Sequence, residues 1–315
     1  MTAMAPNKKI TSSKKQKIKI PRQPVPRRAL LDGPAVAYAK LLADPCNGPL
    51  VHGLSTDGAG GIVSRFESDF IVNPGAGETA AFYSFIPGLA VGQGSTTALA
   101  SDISPITFGP LINRFAFLDI ANRSVGSFRC LSACMTVYYP GSELSRAGVV
   151  GMMQSNYGDI NDFVTVVTPG FLRSACTYVE RTPADKLELI WTPSEQDLNW
   201  TEVGASDTGI ASSYAKRSAI TMTAGGLPAG TGLRVRLTGV YEWKPLQITG
   251  IAMQRTVARS NNTLAHVLNV LDSTGDWVYK GAMRVGTTLS KVWAAVEAAG
   301  GVAYGVTKMA ARIMG

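Results

Sequence analysis

The sequence predicts an all-β fold, an eight-stranded antiparallel jelly-roll sandwich with a disordered basic N-terminal arm and a helical C-terminal tail. Three observations support this fold class. Between about eight and ten short segments alternate apolar and polar residues, which is typical of strands. Glycine is abundant, with 33 residues, and Gly and Pro separate the segments. Helical periodicity is concentrated in the C-terminal region, and the long connections between strands favour a jelly roll over other sandwiches.

The longest predicted strand runs from Ser127 to Tyr139. One face carries Leu131, Ala133, Met135, Val137 and Tyr139 and is expected to be buried. The opposite face is mixed and carries Phe128, Cys130, Ser132, Cys134, Thr136 and Tyr138. Pro140 ends the strand because proline lacks a donor for the ladder. We expect the mixed face to contact a second layer or a neighbouring chain.

Further strands are predicted at 62–72, 79–86, 115–119, 149–154, 163–168, 176–180, 187–191, 219–223 and 233–243. Residues 35–42 predict a short amphipathic helix that ends before Pro45. Residues 263–271 predict a second helix, and a broad apolar stripe from Trp277 to Val296 predicts more helix in the tail. These elements suggest three parts, namely a basic arm at 1–31, a jelly-roll domain at 32–245 and a helical tail at 246–315.

The net charge of +8 is concentrated in the arm. Nine basic residues precede the first acid, Asp32, and they are Lys8, Lys9, Lys14, Lys15, Lys17, Lys19, Arg22, Arg27 and Arg28. The arm has too few large apolar side chains to fold, so we expect it to be disordered. Such a cluster neutralises phosphates without reading base sequence, which favours RNA binding by these nine residues. The alternatives are a nuclear localisation signal and a solubilising tail.

The four cysteines include no Cys-x-x-Cys pair. Cys130 and Cys134 lie on the same predicted strand face, which is poor geometry for a disulfide. We therefore expect buried reduced thiols, as in a protein assembled in the cytosol. The N-terminus lacks the apolar segment of a secretory signal, and no apolar run reaches the length of about 18 residues that a membrane span needs.

The residues give little support to an enzyme. The only histidines are His52 and His266. A nucleophile pair of Cys46 and His52 is conceivable, but no third orienting residue is evident, so we interpret His52 as structural. The sequence has no Gly-x-Ser-x-Gly elbow, no His-Glu-x-x-His and no Cys/His cluster with zinc spacing. We expect no catalytic residues and no metal site.

Three segments resemble the capsid proteins of small positive-strand RNA viruses, most nearly the noda-like and tombus-like single jelly-roll capsids. The first is 130–151, in which Tyr-Tyr-Pro precedes Gly-Ser-Glu-Leu-Ser-Arg-Ala-Gly. The second contains Ala-Asp-Pro-Cys-Asn-Gly-Pro-Leu at 43–50, followed by Arg-Phe-Glu-Ser at 65–68. The third is 226–243, from Gly-Leu-Pro-Ala-Gly-Thr to Val-Tyr-Glu-Trp. Together they bracket about residues 30–245, and none is a catalytic motif.

The resemblance implies a structural coat protein that self-assembles into an icosahedral shell in the host cytoplasm and becomes part of the virion. The arm would then package single-stranded viral RNA. The alternative is a free-standing RNA-binding or RNA-chaperone protein with a β-sandwich body, although we locate no aromatic platform for base stacking. The resemblance also suggests structural calcium, with Asp159 and Asp162 as candidate ligands or simply solvated acids. The tail helices would either pack within the particle or contact membranes during entry.

Overall fold

Two antiparallel sheets form the body of the molecule. The computed structural model describes residues 32–54, 60–72, 75–115, 125–156, 166–182, 186–194, 196–202, 217–245 and 261–272. The strands are β1 (Ile62–Val72), β2 (Ala81–Ile86), β3 (Val91–Gly94), β4 (Ile112–Asn113), β5 (Val125–Tyr138), β6 (Val149–Asn156), β7 (Tyr178–Arg181), β8 (Leu187–Ile190), β9 (Thr201–Glu202), β10 (Ser218–Gly225) and β11 (Leu233–Pro245).

Sheet A has the order β1-β11-β5-β8, with β9 paired to the start of β5, and sheet B has the order β4-β3-β2-β10-β6-β7. When the short strands β3, β4 and β9 are set aside, eight of the described strands remain, four in each sheet. The last strand lies between β1 and β5, and β10 lies between β2 and β6. This interleaving of early and late strands is the topology of a jelly roll. The predicted all-β jelly-roll sandwich is confirmed.

The alternating residues of β11 show how the sequence sets the core. Leu233, Val235 and Leu237 point into the main cluster between the sheets, together with Tyr241 and Trp243. The intervening residues point to the opposite side of sheet A, here called the outer face. Strand β1 pairs with β11 along its whole length, from Ile62 opposite Trp243 to Val72 opposite Leu233. A strand with one buried face has only one register that keeps its apolar residues inside.

A β-bulge in β5 changes the predicted faces of the central strand. Val240 pairs with Ser132 and Tyr241 pairs with Cys130, so Leu131 is an extra residue opposite β11. Cys130 therefore joins the core between the sheets, whereas Leu131 and Cys134 lie on the outer face. The prediction that Leu131 shares a face with Ala133 is wrong. The prediction that Cys130 and Cys134 share a face is also wrong, because the alternation shifts by one residue at the bulge.

Helices cover part of each sheet. They are α1 (Gly33–Ala43), α2 (Pro169–Ala175) and α3 (Asn261–Asp272), and short 3-10 helices occupy Pro87–Leu89 and Glu143–Ser145. The Asp32 side chain caps α1 by accepting from the backbone N–H of Ala35 at 3.0 Å. The predicted helices at 35–42 and 263–271 are confirmed. No sequence pattern that we used predicted α2, although Thr168 caps it and Pro169 opens it.

The predicted strand at 163–168 is wrong for its described part, because residues 166–168 form no strand and lead into α2. Phe115, at the start of the predicted strand 115–119, also lies outside a strand. The rest of both segments lies outside the described residues, as do the arm and residues 273–315. Within the described ranges, every helix is too short or too polar to span a membrane.

Candidate functional site

The outer face of sheet A contains two groups of charged side chains and the cysteines Cys46 and Cys134. Helices α1 and α3 pack over its centre, and the buried cluster there includes Leu41, Leu42, Leu131, Ile190 and Val267. Two hydrogen bonds fix α1 to β5. Tyr38 donates its hydroxyl to the carbonyl of Leu131 at 3.2 Å, and Ser132 donates to the carbonyl of Leu41 at 3.0 Å. The helix that follows residue 31 is therefore anchored to the central strand.

A buried ion pair lies at one end of this face. Glu242 is fully buried, and its Oε2 accepts from Arg129 Nε at 2.9 Å and from Nη2 at 2.6 Å. Its Oε1 accepts from the backbone N–H of Gly61 at 2.9 Å and from His52 Nδ1 at 2.9 Å. A buried carboxylate is stable only when paired and hydrogen-bonded in this way. His52 thus has the structural position that the sequence suggested.

Trp200 extends this network towards the surface. Its ring centroid lies 4.7 Å from Arg129 Cζ and 3.8 Å from Lys244 Nζ. Two cations on one indole ring add cation–π stabilisation to the ion pair of Arg129. The arrangement links β5, β11 and the segment before β9 by electrostatics as well as by packing.

An exposed charged cluster lies at the other end of the outer face. Asp69 accepts from Arg234 at 2.8 and 2.7 Å and from Arg236 at 3.3 and 3.0 Å. The hydrogen bond from Arg234 is the main reason why the pKa of Asp69 lies below its usual range. Both guanidinium groups lie within 6 Å of the Tyr138 ring, at 5.8 and 5.9 Å. The side chains of Arg234 and Arg236 are 49% and 42% exposed, so they remain accessible.

The cysteines differ from the expectation. Cys46 and Cys134 form a disulfide that joins the loop after α1 to β5, with 7.0 Å between their Cα atoms. The prediction that all four cysteines are reduced is therefore wrong for this pair. Cys130 and Cys176 are free. Burial raises the pKa of both thiols, that of Cys176 to about 12.

The alternative of a Cys46–His52 nucleophile pair is not formed, since Cys46 bonds to Cys134 and His52 bonds to Glu242. A groove of about 410 Å³ lies elsewhere, between β1 and the edge of sheet B. Among its described lining residues the only carboxylate is Glu78, which accepts from the backbone N–H of Leu99 at 3.1 Å. Among the described residues, no hydrogen bond joins Glu78 to a serine or threonine hydroxyl of this groove, so no paired nucleophile and base is formed there.

On the outside of sheet B, α2 packs with the loop 101–106. Arg173 Nη1 donates to Asp102 Oδ1 at 2.9 Å, and the backbone N–H of Gly170 donates to the carbonyl of Asp102 at 2.9 Å. These segments also present exposed apolar side chains, with Ile103 84% exposed and Val166 70% exposed. Residues of this kind are normally scattered on a monomer, but here they lie on two segments joined by hydrogen bonds.

Several sequence-predicted residues fall outside the described part of the chain. They are the basic residues Lys8, Lys9, Lys14, Lys15, Lys17, Lys19, Arg22, Arg27 and Arg28, and the acidic residues Asp159 and Asp162. RNA binding and calcium binding at these positions therefore stay predictions. The outer-face network was missed because its members are far apart in sequence and meet only through the register of sheet A.

The two interleaved sheets define a fold class, the jelly roll. No protein-family model matches the sequence, and no curated protein matches it either. Among solved structures, the viral particle of infectious bursal disease virus is similar with a TM-score of 0.59 at 10% identity, over 84% of this chain and 97% of that chain. The VP2 subviral particle of the same virus gives a TM-score of 0.56 at 9% identity, over 83% and 98%.

A tobacco necrosis virus structure gives a TM-score of 0.37 at 11% identity, over 60% of this chain and 99% of that chain, which is too low to carry an argument. At about one identical residue in ten, the likeness to the bursal disease virus particles is one of fold. The described body thus has a capsid-type jelly roll. The narrower resemblance to noda-like and tombus-like capsids stays a prediction.

Proposed function

We propose that this chain is a structural viral coat protein that self-assembles into an icosahedral shell. The observation that carries the proposal is the extent of the fold likeness. It covers 97% of a chain from a virus particle and 84% of this chain, with a TM-score of 0.59. In this role the protein acts by repeated contacts between identical copies and not by catalysis.

The surface of the body supports self-association. Ile103 and Val166 present apolar side chains on hydrogen-bonded segments outside sheet B, and Leu144 is completely exposed at the tip of the turn between β5 and β6. Exposed apolar side chains that lie together on adjoining segments mark a candidate interaction surface. A second copy of this chain is the occupant that the coat-protein proposal supplies.

The basic arm completes the proposal. Its nine cations would neutralise phosphates of single-stranded viral RNA and so couple packaging to assembly in the host cytoplasm. The arm joins the body at Asp32, the cap of α1, whose hydrogen bonds to β5 hold the attachment point in place. The nearest family expected from the sequence is the noda-like and tombus-like group.

Two narrower parts of the proposal concern segments outside the described residues. Residues 276–314 would contact membranes during entry, and dye leakage from liposomes caused by a synthetic 276–314 peptide tests this. An absence of leakage would favour packing within the particle. Calcium bound by Asp159 and Asp162 would make particle stability depend on a chelator, and unchanged stability would exclude that role.

The decisive experiment is electron microscopy of the recombinant full-length protein after gradient sedimentation, with nucleic acid measured in the same fractions. We expect uniform spherical particles that contain RNA. A small species that binds RNA would contradict self-assembly and favour the free-standing RNA-binding protein. Empty particles would support the coat role but contradict packaging by the arm.

A further inference from the structure

Three side chains with metal-binding atoms converge beside α1, and they are Cys46, Cys134 and Glu188. Their two Sγ atoms and a carboxylate oxygen all lie within 4.8 Å of one another. Cys134 pairs with Ile190 across β5 and β8, so Glu188 is its diagonal neighbour on the outer face. Cys46 reaches the same point from the loop after α1. Three elements that are distant in sequence thus meet at one place.

The loop that presents Cys46 is held on both sides. The Asp44 carboxylate accepts from the backbone N–H of Asn47 at 3.0 Å, and the N–H of Gly48 donates to the carbonyl of Asp44 at 2.7 Å. Arg65 then donates to the carbonyls of Pro45 at 3.1 Å and Gly48 at 2.5 Å. These hydrogen bonds hold the loop around Cys46 without involving its sulfur. Such preorganisation is what a binding site requires.

The types of ligand atom at this site, two sulfurs and a carboxylate oxygen, determine which ion would fit. Two thiolates and a carboxylate are established ligands of zinc, whereas calcium and magnesium take oxygen ligands. The side chain of Glu188 is 2% exposed, and Lys186 Nζ lies 3.2 Å from its Oε2. The neighbouring buried residues of the outer-face cluster are largely apolar. A carboxylate and two thiols in such surroundings select a thiophilic divalent cation.

The spacing of the two cysteines is also compatible with a bridging ion. Their Cα atoms are 7.0 Å apart, and disulfides usually have Cα separations of about 4.4–6.8 Å. A tetrahedral zinc ion with bonds of about 2.3 Å holds two sulfurs roughly 3.7 Å apart, which suits a wider backbone separation. The Cα separation of the pair is thus just above the usual range for a disulfide and is compatible with a metal ion shared by the two sulfurs.

We propose that in the reduced protein Cys46, Cys134 and Glu188 bind one thiophilic divalent cation, with zinc as the best fit. Water fills the fourth position, because Cys46 is only half-buried. The disulfide is the oxidised form of the same pair and excludes the ion. The bound ion joins the loop after α1 to both β5 and β8, so it stabilises the docking of α1. This proposal is independent of the coat-protein proposal.

The test uses the full-length protein, reduced with a phosphine in metal-free buffer until all four thiols are counted. Titration with cobalt(II) chloride is expected to give one equivalent per chain and a thiolate-to-cobalt charge-transfer absorption, which zinc then abolishes by displacement. Cys46→Ser and Cys134→Ser should each weaken cobalt binding more than about 100-fold, and Glu188→Gln by about 10-fold or more. Cys176→Ser is the matched control and should leave the titration unchanged.

Three results would overturn the proposal. They are a fully reduced wild-type protein without the charge-transfer absorption, cobalt binding that survives both Cys46→Ser and Cys134→Ser, and wild-type affinity in Glu188→Gln. The wild-type titration needs no variant, so the proposal remains testable even if a substitution prevents folding. Circular dichroism of each variant shows whether that variant is folded.

Discussion

Arg129 and Glu242 form a buried ion pair across β5 and β11, where they are direct cross-strand neighbours. Both Nε and Nη2 of Arg129 donate to the same carboxylate oxygen. The pair contributes to stability chiefly because each partner would be costly to bury alone. His52 and Gly61 provide the remaining donors, so the network joins the segment before β1 to the centre of sheet A.

Glu242→Gln should therefore destabilise the body strongly. The substitution removes the charge that compensates Arg129, and breaking a buried pair costs about 3–5 kcal/mol. Urea unfolding of the unassembled protein measures the loss. Asp69→Asn is the matched control, because it breaks an ion pair with Arg234 that stays exposed to solvent. It should lose much less stability, and equal losses in the two variants would contradict our interpretation.

Gly48→Ala should disturb the loop that presents Cys46. An added Cβ would lie 2.4 Å from the backbone carbonyl oxygen of Asp44, which cannot move without breaking the turn. We expect a destabilisation of about 1–3 kcal/mol by thermal or urea unfolding. Gly33→Ala is the control, because a Cβ there meets nothing within 4 Å. A Gly48→Ala variant as stable as Gly33→Ala would show that the loop adapts.

Cys176 should react slowly with alkylating agents although it is only half-buried. Burial raises its thiol pKa to about 12, and only the thiolate is the nucleophile. At pH 8 the thiolate fraction is then roughly 2,000-fold lower than that of an ordinary cysteine with a pKa of about 8.5. Iodoacetamide labelling, followed by peptide mass spectrometry with and without denaturant, measures this ratio. The folded-state rate should rise as the pH approaches 12. Equal rates in both states at pH 8 would exclude the raised pKa.

Ile103→Asp combined with Val166→Asp should prevent particle formation without unfolding the subunit. Both side chains are exposed, so the folded monomer loses little packing when they become charged. Two carboxylates would disfavour burial in a contact between copies. Sedimentation measures particle assembly, and circular dichroism shows whether the subunit is folded. Asn199→Asp adds a negative charge at another exposed position and should assemble normally. Normal particles from the double variant would exclude this surface as a contact.

The positive charge of the arm determines the salt dependence that we expect for RNA binding. If all nine cations pair with phosphates of single-stranded RNA, log K should fall against log salt with a slope of about −6, from roughly −0.7 for each phosphate. Replacing Lys14, Lys15, Lys17 and Lys19 by Ala should reduce the slope to about −3.5. Filter binding to unstructured RNA at several salt concentrations measures both slopes. A slope near zero for the wild type would rule out the arm as the RNA-binding element.

Much of the fold was predictable because two of its signals are local in the sequence. They are the alternation of apolar and polar residues within a strand and the Gly and Pro residues between strands. The pattern from Leu233 to Trp243 predicted β11 and its buried face, and the helices at 35–42 and 263–271 followed from apolar spacing. Helix α2 had a local signal as well. Thr168 before Pro169 is a cap followed by a favoured first-turn residue, and this signal was overlooked.

The candidate site was less predictable because it depends on register. The extra residue at Leu131 moves Cys130 into the core and leaves Cys134 on the outer face. There Cys134 meets Cys46, which is 88 residues away in sequence. A bulge has no reliable signal in the residues themselves, since it is defined by the partner strand. The pairing of Arg129 with Glu242 likewise required the alignment of β5 with β11.

The central position of β11 also affects how the protein is made. Its neighbours β1 and β5 are synthesised much earlier, and Ile62 finds its partner only when Trp243 has emerged. Until then both strands have open edges, and such distant pairings form slowly. A chain that stops before Leu233 can pair neither edge, so it cannot complete sheet A. Truncated translation products that lack β11 therefore leave facing edges of β1 and β5 unpaired.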